Sequence, residues 1–194
     1  MGRALIINSI RFIVLIATQV FLLKNFGYYN LSIPYLYILF ILLLPFGIPN
    51  TLLFLLAFFT GITIDVFYDT LGLNAIACTV MAFVRIVFIS VTVQRDGFDN
   101  EPDPSLGIMG FRWFVFYAVI LTFFHHLILF SFETFRFSEL GFTLLRVILS
   151  TLFTVFLILI TEFAFFRKKI RWFPLEYHLV FMPILIVIKK INRN

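Results

Sequence analysis

The sequence predicts an all-α polytopic membrane protein with six transmembrane helices. Three observations lead there. The chain of 194 residues is 62% hydrophobic and 13% charged, against about a quarter charged in a soluble domain. Its 29 Phe residues fall in run after run of Leu, Ile, Val and Phe, more apolar surface than one small core can hide. The runs recur at about the length that carries a helix through ~30 Å of hydrocarbon, roughly 20 residues.

The first run, Ala4 to Leu23, is interrupted by Asn8, Arg11 and Gln19 and ends at Lys24-Asn25. It lacks a small-residue cleavage site and reads as a retained helix rather than a signal peptide. Arg11 lies a little under halfway in, from where its long side chain snorkels to the surface. The second run, Ile33 to Phe46, is opened by Pro34 and closed by Pro45, Gly47 and Pro49. Proline suits a first helical turn, where its missing N–H is no loss. This run is short for a span, but it is expected to cross.

The third runs from Thr51 to Tyr68. Ala57, Gly61, Asp65 and Asp69 follow one another at four-residue steps, which keeps them on one slowly drifting helix face. Small residues such as Ala57 and Gly61 let a second helix approach closely in lipid. The two carboxylates therefore project from a face suited to packing against protein. Gly72 suits a chain reversal, and Asn74 an N-cap for a fourth helix over Ala75 to Val93.

A hydrophilic stretch, Gln94 to Gly110, is rich in turn residues. Two further helices, Phe111 to Phe132 and Phe142 to Phe166, follow, and Arg167, Lys168, Lys169 and Arg171 stop the last. Residues 1–173 thus form the six-helix domain. Residues 174–194 form a basic tail whose apolar run, His178 to Ile188, is too short to span and reads as interfacial.

Seven of the 15 Lys and Arg lie between Arg167 and Arg193. Basic residues stay on the cytoplasmic side, so both termini are expected inside and Asp65 and Asp69 outside. The same clustering makes the net charge of +5 a topology signal rather than a nucleic-acid footprint. Cys78 is the single cysteine, which removes disulfides and cysteine-rich metal sites.

Few constellations carry chemistry. Asp65, Asp69 and the pair His125-His126 lie at similar depths, which permits a proton- or metal-responsive cluster. The plainer reading makes Asp69 interfacial and one histidine a packing contact. Arg85 and Glu162 are expected to pair, since either charge alone is costly in lipid. No nucleophile elbow, phosphate loop or His-x-x-x-His spacing occurs. The expectation is a protein without catalytic residues, metal or cofactor.

The layout, with Gly61-x-x-x-Asp65 running into Asp69-x-x-Gly72-x-Asn74, resembles the rod shape-determining protein MreD family of the bacterial inner membrane. The residues that carry the likeness are Pro34, Pro45, Gly61, Asp65, Asp69, Leu71, Gly72, Asn74 and Ala75. The resemblance implies a six-helix fold similar to the substrate-binding S-components of energy-coupling-factor transporters. It also implies a scaffold role in cell-wall elongation. The partners would be a bitopic MreC-like protein and, through it, MreB-like filaments and peptidoglycan synthases. On that reading Ala57, Gly61, Asp65, Asp69 and Gly72 pack internally or against a partner, and homo-oligomerisation stays open. The alternative is the substrate-binding membrane subunit of a vitamin-type transporter, which membrane-embedded charges also suit.

Overall fold

The computed structural model describes residues 2–24, 32–93, 104–134 and 140–165. The basic tail, the loop residues 94–103 and the loop residues 135–139 lie outside these. Among the described residues, five helices are long and apolar enough to cross a membrane: Ile6–Leu23, Asn50–Tyr68, Leu73–Thr92, Phe111–Thr134 and Gly141–Ala164. All are studded with exposed Phe, Leu, Ile and Val, such as Phe21, Val66 and Leu152, as a lipid-facing surface requires.

In chain order, α1 (Gly2–Ala17) continues as a wider π-helical turn over Thr18–Leu23. A 3-10 turn (Leu36–Ile38) runs into the four-residue α2 (Leu39–Leu42). Then come α3 (Asn50–Tyr68), α4 (Leu73–Thr92), the short α5 (Leu106–Met109), α6 (Phe111–Thr134) and α7 (Leu140–Phe165). Packing is densest between α3 and α4, α4 and α6, and α6 and α7. α1 meets the bundle chiefly through residues 36–42.

The second expected span needs correction. Ile33 to Phe46 is not a membrane-length helix, because its helical part covers Leu36–Leu42 alone. Pro34 and Pro45 bound a stretch too short for a regular helix to cross. Instead the segment is interior, buried continuously from Pro34 to Leu44. It still carries the chain from one end of the bundle to the other. Lys24 Nζ donates to the carbonyl of Phe67, so α1 ends beside the end of α3. The start of α3 lies 19 residues away, about 28 Å at ~1.5 Å per residue.

Irregular backbone survives at this depth only where protein satisfies it, and here polar side chains of the surrounding helices do so. Ser150 Oγ and Thr154 Oγ1 accept the N–H groups of Ile33 (3.0 Å) and Tyr35 (3.1 Å). Gln19, turned inward by the π-helical turn, accepts the N–H of Leu36 (2.8 Å) and donates to the carbonyl of Pro34 (3.1 Å). At the other end Tyr117 donates to the carbonyl of Leu42 (3.0 Å), and Arg11 to that of Leu43 (3.2 Å). Arg85 donates to the carbonyls of Leu44 and Pro45.

Arg85 is spent on these carbonyls, and among the described residues it makes no ion pair with Glu162. Arg85 is 2% exposed, and its Nε donates to the Tyr117 hydroxyl at 3.1 Å. Glu162, 1% exposed, accepts the N–H of Leu106 at 3.1 Å, at the first turn of α5. Each charge answers backbone groups that lack helical partners, rather than the other charge.

Candidate functional site

The polar residues of interest gather at the end of the bundle where α1 and α3 finish and α4 begins. α3 stops because Asp69 adopts a left-handed conformation (φ 55°), with the Thr70 N–H bonded to the Asp65 carbonyl at 3.1 Å. Gly72 follows at φ 83°, a conformation that favours glycine because it has no Cβ to clash. These two residues reverse the chain within four positions. Gly72, not Asn74, stands immediately before α4, and Asn74 lies inside its first turn. The capping role expected of Asn74 falls instead to Asp65.

Asp65 is 5% exposed. Its Oδ2 accepts the N–H of Ala75 at 3.0 Å, and its Oδ1 accepts the N–H of Asn74 at 3.0 Å. Oδ1 also accepts Asn74 Nδ2 at 3.0 Å and the Thr70 hydroxyl. A carboxylate from the preceding helix thus satisfies two of the donors that open α4, where the helix dipole also favours negative charge. Gly61 lies one turn below. A Cβ there would sit 2.4 Å from Ala75 Cα and 2.5 Å from the Asn74 carbonyl oxygen, so the two backbones touch. Ala57 is fully buried on the same face.

Ala57, Gly61 and Asp65 are therefore spent on the α3–α4 contact inside the chain. Gly72 shapes the turn. Asp69 is exposed at its tip and does not join the carboxylate network.

A second polar cluster continues inward from Asn74. Asn74 Nδ2 gives its hydrogens to Asp65 Oδ1 and to Thr70 Oγ1 (3.1 Å). Asn74 Oδ1 is left to accept the Tyr37 hydroxyl at 3.0 Å. Tyr37 has one proton to give, so His125 Nε2, 2.9 Å from the same hydroxyl, must donate to it. His125 Nδ1 is buried without a hydrogen-bond partner, as an unprotonated ring nitrogen best tolerates. Cys78 Sγ lies 3.8 Å from His125 Nε2.

His126 is equally buried, with Nδ1 3.3 Å from the Thr151 hydroxyl. Both adjacent histidines thus face protein, although only His125 reaches toward Asp65, and then through Tyr37 and Asn74. Among the described residues no group of three or more His, Cys, Asp or Glu could hold a metal ion.

Above this cluster a cleft of about 400 Å³ opens at the same end. Tyr35 and Asn74 form its floor, and Lys24, Thr70, Glu133 and Arg146 stand among its lining. Arg146 pairs with Glu133 at 3.0 Å and lies over the Phe130 ring, 4.1 Å from its centre. Lys24 lies 5.5 Å from the centre of the Tyr68 ring. Sequence reasoning missed Gln19, Tyr37 and this charged rim. Tyr35-Leu36-Tyr37 inside an otherwise apolar run was the available signal, because a buried hydroxyl needs a partner.

No protein-family model, no curated protein and no solved structure matches this chain.

Proposed function

We propose that the protein is a membrane-embedded scaffold of the rod-shape and cell-wall elongation type, without catalysis of its own. It would sit in a bacterial inner membrane with both termini cytoplasmic and bind a bitopic MreC-like partner. The observation that supports this reading is structural coherence of the residues behind the resemblance. Gly61, Asp65, Asp69, Gly72, Asn74 and Ala75 build one unit, the closely packed α3–α4 hairpin. Pro34 and Pro45 bound the interior segment that packs beside it.

The same geometry moves the proposed partner surface. Because the Ala57/Gly61/Asp65 face is occupied by α4, a partner's helix has to use another one. α1 is suited to this, since its outer face exposes Ile6, Ile10 and Ile13 and few of its contacts reach beyond residues 36–42.

The test is affinity purification from native membranes in mild detergent, with mass spectrometry of the co-purifying proteins. Recovery of a single-span cell-wall protein, lost when Ile10 and Ile13 are changed to bulky Trp, supports the scaffold. Recovery of an ATPase with a coupling subunit instead assigns the chain to a vitamin-type transporter.

A further inference from the structure

The cleft at the Tyr68 end carries an inference beyond the scaffold reading and independent of it. We infer that it binds the phosphate of an amphipathic molecule, with Lys24 as the countercharge and the apolar body lying along Ile33, Leu129 and the ring of Tyr35. Of the three charged residues in its lining, Arg146 and Glu133 neutralise one another, with Arg146 NH1 and NH2 each contacting a different oxygen of Glu133 (3.0 and 3.3 Å). Lys24 is left. Its ammonium donates to the Phe67 carbonyl, makes no ion pair among the described residues, and keeps two hydrogens for an acceptor.

The cleft therefore carries a net charge of about +1, on a rim at the ends of spanning helices, where the phosphates of a bilayer lie. An ammonium at this depth is a point charge suited to phosphate. Below the rim the walls are aromatic and aliphatic, and the volume of about 400 Å³ lies within the range of small-molecule sites. Its floor is rigid. Asn74 is held by Asp65, and Tyr35 is 5% exposed and packed at 5.4–6.4 Å against the rings of His126, His125, Phe130 and Tyr68. A headgroup held here would bridge the end of the π-helical turn that continues α1, the interior segment, α3, α4, α6 and α7, all of which contribute to the lining.

The experiment measures the melting temperature of the full-length protein in a neutral maltoside. The probes are dihexanoyl phosphatidic acid, dihexanoyl phosphatidylcholine and inorganic phosphate. Phosphatidic acid at about a hundredfold excess over its Kd should raise the melting temperature by roughly 5–10 °C, and phosphatidylcholine by much less. Lys24→Ala, a change at an exposed position, should weaken the affinity about tenfold, the share of one charge-assisted hydrogen bond, and so roughly halve the shift at the same lipid concentration, while Lys24→Arg keeps it.

A Lys24-dependent shift of the same size with inorganic phosphate also supports the site and identifies a soluble phosphate compound as its occupant. Equal shifts with the two lipids, or a shift that persists unchanged in Lys24→Ala, overturn the inference.

Discussion

Asp65 Oδ2 accepts the backbone N–H of Ala75 at 3.0 Å, so a residue on one spanning helix caps the next, ten positions on. Within a bilayer the first turn of a helix has no water to complete its hydrogen bonds, and a buried carboxyl group with two acceptor oxygens is a fitting substitute. Asp65→Leu leaves the N–H groups of Asn74 and Ala75 unpaired, at about 1–3 kcal/mol each. Asp65→Asn keeps one acceptor oxygen and turns the other into a donor. At roughly 2–4 °C per kcal/mol for a chain of this size, Asp65→Leu should lower the melting temperature by about 10 °C and Asp65→Asn by less than half as much. Thermal unfolding in detergent reads both, and equal losses would contradict the capping role.

Gly61 and Ala75 set the distance between α3 and α4. A methyl group at residue 61 meets backbone 2.4 Å away, and backbone cannot swing aside as a long side chain can. Gly61→Ala is therefore expected to push the helices apart and cost at least about 2 kcal/mol, the middle of the range for overpacked interiors. Gly47 provides the control, since nothing lies within 4 Å of its added Cβ. Gly47→Ala should be neutral within about 0.5 kcal/mol. Similar melting temperatures for the two variants would show that the hairpin is looser than its geometry.

Gln19 holds α1 to the interior segment and to α3 at once, through the carbonyl of Pro34, the N–H of Leu36 and the hydroxyl of Tyr68 (2.8 Å). Gln19→Leu should leave the α3–α4 hairpin intact while loosening the C-terminal part of α1. Hydrogen–deuterium exchange then rises at Leu36 and along Thr18–Leu23, by about tenfold for each ~1.4 kcal/mol of local stability lost. Uniformly faster exchange across α3 and α4 would instead mean that Gln19 supports the whole bundle.

The five long helices were legible from hydropathy because each apolar run approaches the thickness of a bilayer. The interior segment was not. Ile33 to Leu44 is as apolar as any spanning helix, and hydropathy does not separate a segment buried in lipid from one buried in protein. Its two prolines and its length were the warning, and the complementary signal lay elsewhere, in Arg11, Gln19, Arg85 and Tyr117. Arg11 and Gln19 first read as interruptions of a helix and Arg85 as half of an ion pair, and in the folded chain they and Tyr117 are the partners of its exposed backbone groups. The Gly61/Asp65 pattern marks the face that lies against α4, but a four-residue spacing does not say whether such a face meets another helix of the same chain. Lys24, Glu133 and Arg146 come from three distant helix ends, so each alone resembled an ordinary interfacial charge.

Arg85 and Tyr117 provide the sharpest test of why charge is tolerated inside this bundle. Their side chains bond to one another at 3.1 Å, and together they occupy the carbonyls of Leu42, Leu44 and Pro45. If they act as a unit, Arg85→Met and Tyr117→Phe are each destabilising, and the double variant loses less than their sum. The shortfall should be about 0.5–3 kcal/mol, the range for residues in one hydrogen-bonded network. Arg85→Lys should recover part of the loss, because an ammonium still donates to a carbonyl but lacks the fork that reaches tyrosine as well. Strict additivity, measured by thermal or denaturant unfolding of all four proteins, would make the contacts independent. An Arg85→Met protein as stable as the parent would mean that the broken segment holds its conformation without the charge.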